Sequence, residues 1–186
     1  MNKGTLLVIS GPSGVGKSTI AKKLIAAGIP RVMTTTTRAP RGSEKNGVDY
    51  RFLTRAEFEA DLSAGKFLEW AEIDRNLYGT PKERIEQELA SRKAVLVDID
   101  TQGAATLRKM GVQAMYVFIA PPDMPELRKR LEGRKTESPE ALKMRLDRAE
   151  REMAQKDTYD AVVVNTTVER AVDEILALAR ARNLLG

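Results

Sequence analysis

Residues 5–19, TLLVISGPSGVGKST, join a short apolar run to a glycine-rich loop that ends in Lys17 and Ser18. An apolar strand, a loop spaced Gly11-x-x-x-x-Gly16-Lys17-Ser18 and a following helix form the context in which this pattern holds phosphate. Its glycines let the backbone turn several N–H groups toward one anion, and the helix N-terminus adds a partial positive charge. Lys17 places an ammonium between the β- and γ-phosphates of a nucleoside triphosphate, and Ser18 offers a hydroxyl to Mg2+. Gly11, Pro12, Ser13, Gly14, Val15, Gly16, Lys17, Ser18 and Thr19 are therefore the candidate donor-binding residues. The loop names a donor and leaves the acceptor open, because hydrolytic switches, motors and small-molecule kinases all use it.

Along the rest of the chain, Val- and Ile-rich runs alternate with longer segments of 3.6-residue period. LLVIS precedes KSTIAKKLIAAG, AVLVDID precedes TQGAATLRKM, AMYVFIA precedes MPELRKRLEG, and AVVVN precedes VERAVDEILALARARNLL. That alternation predicts βα units around a buried parallel sheet, an α/β fold with a three-layer core. At 186 residues the chain suits a single domain with one core. Residues 33–80 break the pattern: MTTTTR, DYRFL, KFLEWAEI and NLYGT read as short strands, TRAEFEADL as a helix, and Asn46-Gly47 as a hairpin signal. This predicts a small mixed α+β insertion over 33–81. In EGRKTESPEALKMRL, Ser138 as N-cap and Pro139 at the first helical position start a new helix after a charged loop, which predicts a lid over 126–154. The core is then 1–32, 82–125 and 155–186.

Cysteine and histidine are both absent, which excludes disulfides and thiolate metal sites and removes the commonest general base. Chemistry in this chain rests on lysine, arginine, carboxylates and hydroxyls. The formal net charge of +5 suits either nucleic acid or a polyanionic small molecule. One Trp, four Tyr and four Phe, without interleaved aromatic and basic residues, argue against nucleic acid. The start MNKGTLLVIS has no small-residue cleavage site, and nowhere do about 18 apolar residues run together. The expectation is a soluble cytoplasmic protein with no membrane partner; a homo-oligomer is compatible with all of this.

In the insertion, TTTTRAPRGSEKNGVDYRF places Arg38 and Arg41 three apart around Pro40, followed by Tyr50. FLEWAEI carries Glu69, and LYGT carries Tyr78 and Thr80. GPSGVGKST, TTRAPR, GVDYRF, FLEWAE, YGT, DIDTQGA and RLEGR follow one another in the order and spacing of guanylate kinases, which the chain resembles over nearly its whole length. The resemblance implies a core, a nucleoside-monophosphate-binding insertion and a lid. It further implies transfer of the γ-phosphoryl group of ATP to GMP, and to dGMP, with Mg2+ as cofactor. By the same resemblance Arg38, Arg41, Tyr50 and Tyr78 bind the GMP phosphate, while Thr34, Glu69, Thr80 and Asp100 surround its guanine. The residue types suit those tasks: arginines offer planar forks of donors to a dianion, and tyrosine hydroxyls add donors without charge. A carboxylate at Glu69 accepts both N1–H and N2–H of guanine, whereas adenine presents an acceptor at N1 and no 2-amino group.

In VLVDID, Asp98 and Asp100 alternate on one face at the C-terminal end of a strand expected to be central, where ligands gather in open α/β sheets. Asp98 is the candidate for orienting the magnesium shell, through water, and Asp100 for orienting the acceptor. The resemblance implies that Arg134 and Arg145 close over the phosphates and join Lys17 and Arg41 as the catalytic set. Arg130, four residues before Arg134, is a candidate for the adenine side. Asn165 stands where the family has an asparagine near the ATP base, or else in the N-cap region of the last helix. Plainer readings exist for each piece: TTTTR as β-propensity, Tyr50 and Trp70 as core, the arginine-rich segments as a solvated helix face. The chain departs from the family pattern at Thr34, at Gly42-Ser43 where the glycine is expected one place later, at Leu77, at Lys135 and at Thr166. The alternative function is a non-catalytic guanylate-kinase-like interaction module, against which the intact Lys17-Ser18 pair speaks.

Overall fold

In chain order, the computed structural model describes residues 4–133 and 139–185. These form β1 (Thr5–Ser10), α1 (Lys17–Ala26), β2 (Thr35–Thr36), β3 (Arg51–Phe52), α2 (Arg55–Ser63), β4 (Phe67–Ile73), β5 (Asn76–Pro81) and α3 (Lys82–Ser91). Then follow β6 (Ala94–Asp98), α4 (Thr101–Lys109), β7 (Ala114–Ala120), α5 (Met124–Glu132), α6 (Pro139–Met153), a short 3-10 turn, β8 (Ala161–Val164) and α7 (Val168–Ala181).

The first sheet runs β6-β1-β7-β8, and every pair in it is parallel. Alternate side chains of β1 enter different layers. Leu7 and Ile9 pack with Ile20, Leu24, Leu127, Leu146 and Ile175 from α1, α5, α6 and α7, whereas Leu6 and Val8 pack with Ile85 and Leu107 from α3 and α4. Burial on both faces is why LLVI reads as a continuous apolar run, and each such side chain contributes about 1.5–3 kcal/mol. The outer strand β8 is different: Val163 is buried, but Val162 and Val164 face solvent. The strand carrying Asp98 is not central as expected. β6 ends the strand order, and beyond it the backbone of Val32 donates to Leu96 at 2.9 Å, extending the edge by a single bridge. Asp98 closes β6 while Asp100 is the N-cap of α4, so the two do not share a strand face.

The second sheet runs β3-β2-β5-β4, with β2 parallel to β3 and antiparallel to β5. Its hairpin is β4–β5, turned by Asp74 and Arg75 at φ 50° and 64°, the left-handed pair that a two-residue hairpin loop requires. Asn46-Gly47 makes a local turn bridged from Asn46 to Tyr50 rather than the expected hairpin, because the strands on either side of it pair in parallel. α2 begins with a capping box in which the Thr54 and Glu57 side chains accept from each other's backbone N–H. Phe58 of α2 stacks on Phe67 of β4 with ring centroids 4.5 Å apart, and both rings lie over Gly79, leaving no room for a Cβ there. Trp70 is 44% exposed on the outer side, so it is not a core residue.

The stacked pair is the packing that holds β5, and with it Tyr78 and Thr80, in place. Phe58→Ala is expected to lower unfolding free energy by about 3–5 kcal/mol, read by denaturant titration. A loss under about 1 kcal/mol would show that the second sheet does not depend on this contact.

Candidate active site

A cleft of about 540 Å³ lies between the two sheets, with the phosphate loop at one end and the β4–β5 hairpin at the other. Gly11, Gly14 and Gly16 take φ of 141°, 91° and 92°, which turns the loop from β1 into α1. Helix α1 has no side-chain cap and no acidic residue in its first turn, so its N-terminal N–H groups and dipole face the cleft uncompensated by the helix itself. The Lys17 ammonium donates to the carbonyls of Gly11 at 2.6 Å and Pro12 at 3.1 Å.

Behind the loop, the Asn165 Nδ2 donates to the Val15 carbonyl at 2.6 Å, and Arg130 donates to the Asn165 carbonyl at 3.1 Å. Arg130 is also paired with Glu126. Asn165 is not the cap of the last helix, because Thr167 accepts from the Arg170 N–H and fills that role. Pro12, Val15, Arg130 and Asn165 therefore support the loop without lining the cleft.

On the hairpin side Thr34, Arg38, Arg41, Tyr50, Glu69 and Tyr78 all line the cleft. The Arg38 guanidinium is buried against the Tyr50 and Phe52 rings, 5.5 and 5.9 Å from their centroids, and donates to both oxygens of Glu44 at 2.9 and 3.0 Å. Burial alone would lower its pKa; Glu44 and Tyr78 outweigh that and raise it. Glu44 also accepts from the Arg41 N–H at 2.8 Å, while its own N–H donates to the Arg41 carbonyl at 3.0 Å. The shifted Gly42-Ser43 pair thus still forms a closed turn, with Gly42 at φ 51°. Burial pushes the Tyr50 hydroxyl up to about 12, with Asp98 and Tyr78 adding to the rise, which keeps it a hydrogen-bond donor at neutral pH.

Glu69 is 5% exposed, and its carboxylate accepts a short hydrogen bond from the Thr80 hydroxyl. Burial pushes its carboxyl up to about 7, opposed by Thr80 and reinforced by Asp100. A Cβ at residue 103 would come within 2.6 Å of its second oxygen, so any residue larger than glycine there would displace the Glu69 carboxylate. Asp100 caps α4 through one oxygen, which accepts from the Gly103 N–H at 2.9 Å; the other oxygen is buried with no hydrogen-bond partner.

Asp98, Asp100, Arg145, Arg148 and Glu152 also line the cleft, with Ile73, Asp74 and Ile99. Burial raises the carboxyls of Asp98, Asp100 and Glu152, and Lys17 opposes the rise in all three. Among the predicted residues, Arg134 lies outside the described ones, as do Lys135 and Ser138. Glu44, Asp74, Gly103, Arg148 and Glu152 join the site without having been singled out. A signal existed for two of them: Arg145, Arg148 and Glu152 are three and four residues apart, one face of a helix.

The raised Glu69 carboxyl sets a direction. Between its ordinary value of 4.5 and about 7 the unfolded chain ionises while the folded chain stays protonated, so stability falls as pH rises through that window. Denaturant unfolding from pH 4 to 8 is expected to show wild type losing up to about 3 kcal/mol relative to Glu69→Gln. A pH-independent difference between the two proteins would contradict the buried-carboxyl account.

The guanylate kinase family model matches residues 3–181. A guanylate kinase of Rubrobacter xylanophilus is 46% identical over 183 residues, 97% of this chain and 95% of the relative. The crystal structure of guanylate kinase from Anaplasma phagocytophilum matches with a TM-score of 0.81 at 36% identity, covering 96% of this chain and 86% of that one. A shikimate kinase from Bacteroides thetaiotaomicron, with a TM-score of 0.53 at 13% identity over 95% of this chain and 98% of its own, shares the fold alone. A phosphate loop facing a buried carboxylate across one cleft, in a chain that matches the family from end to end, is thus no isolated likeness: this chain belongs to the guanylate kinase family.

Proposed function

We propose that the chain transfers the γ-phosphoryl group of ATP to GMP or dGMP, giving ADP and GDP or dGDP. The observation that carries this reading is the Glu69 carboxylate, buried and oriented by Thr80 in the same cleft as Lys17. Guanine N1–H and N2–H complete its hydrogen bonding and favour its ionised form. Adenine supplies neither donor and leaves the carboxylate with Thr80 as its partner, a cost of about 1–3 kcal/mol. Thr34 and the free oxygen of Asp100 complete the base site, while Arg38, Arg41, Tyr50 and Tyr78 take the acceptor phosphate. Glu44 holds Arg38 and the Arg41 turn ready for it.

The donor phosphates lie in the loop Gly11–Thr19, against the N–H groups at the start of α1. Lys17 exchanges two carbonyl partners for phosphate oxygens. Ser18 and Asp98 present hydroxyl and carboxylate oxygens with no nitrogen or sulfur ligand nearby, a donor set that suits Mg2+ retained through water and substrate phosphates. Among the described residues no cluster of acidic side chains would hold a metal alone, consistent with that arrangement. When bound, Mg2+ neutralises charge on the β- and γ-phosphate oxygens. Asn165 and Arg130 act by fixing the loop, with the adenine beside them.

No general base is required. The monophosphate is nearly dianionic at neutral pH, so its oxygen attacks the γ-phosphorus directly and the ADP oxygen leaves in line. What must be supplied is positive charge around the group in transit, from Lys17, Arg41, Arg145 and Arg134. Residues 33–81 form the acceptor-binding part and 126–154 the lid, and their approach to the core excludes water from the reaction. Among the described residues no helix is long and apolar enough to cross a membrane, and we place the reaction in the cytoplasm.

ADP release from Mg-ATP is expected with GMP and dGMP, and near background with AMP or no acceptor. Glu69→Gln should abolish that preference. Lys17→Ala should lower turnover about 100- to 1,000-fold while GMP affinity changes only a few-fold. ATP binding without transfer to any acceptor would overturn the reading.

A further inference from the structure

We propose that Arg148 is a positioning residue that bridges the mouth of the cleft, tying the β4–β5 hairpin tip to helix α6 before substrate arrives. The guanidinium donates to Asp74 Oδ1 at 2.8 Å across a chain separation of 74 residues. Its Nε lies 3.8 Å from Glu152 Oε1 on the same helix. Glu152 in turn is 8% exposed beside the phosphate loop, where Lys17 and the Ser13 backbone N–H act on its carboxylate. Asp74, Arg148, Glu152 and Lys17 therefore form a chain of alternating charge from the acceptor side of the cleft to the donor side, and all four line it.

Two features separate this bridge from an ordinary surface ion pair. Pairs such as Arg55–Glu59 and Arg84–Glu88 stay within one helix and add little. Arg148–Asp74 joins two parts of the fold that are built on different sheets, and the arginine is only 19% exposed. The bridge thus keeps the hairpin tip and α6 near each other in the empty protein, and less closing remains when the acceptor binds.

The kinetic consequence rests on the guanylate kinase reading; the structural one does not. An ion pair of this kind shifts the population of the approached state about two- to fivefold, and the apparent affinity for GMP falls by the same factor when it is lost. Arg148→Gln and Asp74→Asn should each raise KM for GMP about two- to fivefold with kcat changed less than about twofold, and the double variant should be no worse than either. Because the chain contains no cysteine, spin labels on Glu72→Cys and Glu150→Cys, both exposed positions, report the hairpin-to-α6 distance directly. Without ligand, the label pair should give one short-distance population, and each of the two bridge substitutions should add a longer one. Unchanged distances in both variants would overturn the proposal. So would a fall in kcat for Arg148→Gln with Asp74→Asn silent, which would mean that Arg148 contacts phosphate. If no protein of the set, wild type included, forms ADP with GMP, the functional reading fails, and the distances still decide the bridge.

Discussion

Three carboxylates, Asp98, Asp100 and Glu152, come from a strand end, a helix cap and a distant helix, and each is held in check by the ammonium of Lys17. Burial raises all three carboxyls; Lys17 opposes the rise at each, joined by Arg31 at Asp98 and by Arg148 at Asp100 and Glu152, and Lys17 is itself anchored on the carbonyls of Gly11 and Pro12. The same economy appears at the other end, where Glu44 engages both Arg38 and the Arg41 backbone. A site for polyanions must concentrate positive charge, and internal partners limit the repulsion among these cations. In the function we propose, Lys17 exchanges carbonyl partners for phosphate oxygens, while Glu44 keeps Arg38 in place.

The layers explain why this arrangement sits where it does. The parallel strands carry their loops to one end, and the mixed sheet rises from the chain between α1 and α3 to face that end. Phe58 and Phe67 pack directly over Gly79, so Tyr78 and Thr80 are set by that contact and Glu69 by its pairing with Thr80. Asn165 performs the corresponding task for the loop from the far side of β7, reaching Val15 across 150 residues of sequence.

Much of this was legible from residues 5–19 and from the alternation of Val-rich runs with amphipathic segments, because strands buried on both faces and helices buried on one leave distinct periods. AVVVN shows the limit: its valines suit a buried strand, yet β8 is an edge, and which strand ends a sheet is decided by pairing partners far away in sequence. The Asn46-Gly47 signal failed for a related reason, since turn chemistry is local and the parallel pairing of β2 with β3 is not. Asp74-Arg75, the actual hairpin turn, carries no glycine or asparagine to announce it. In the site, Lys17, Arg38, Glu69 and Tyr78 were visible as motif members, while Glu44 and Glu152 were not, because a carboxylate that orients a cation looks in sequence like any solvated acid.

Gly103 was passed over for the opposite reason: it sits inside a helix, where glycine usually signals weakness. Its missing Cβ is the space that the second oxygen of Glu69 fills, and the same residue's N–H closes the cap on Asp100. The start of α4 and the Glu69 carboxylate are therefore two sides of one packing contact. Redesigning this cleft for another base is consequently a problem of volume as well as of hydrogen bonding: a larger residue at position 69 is blocked on the α4 side and must extend into the cleft, the space a ligand needs.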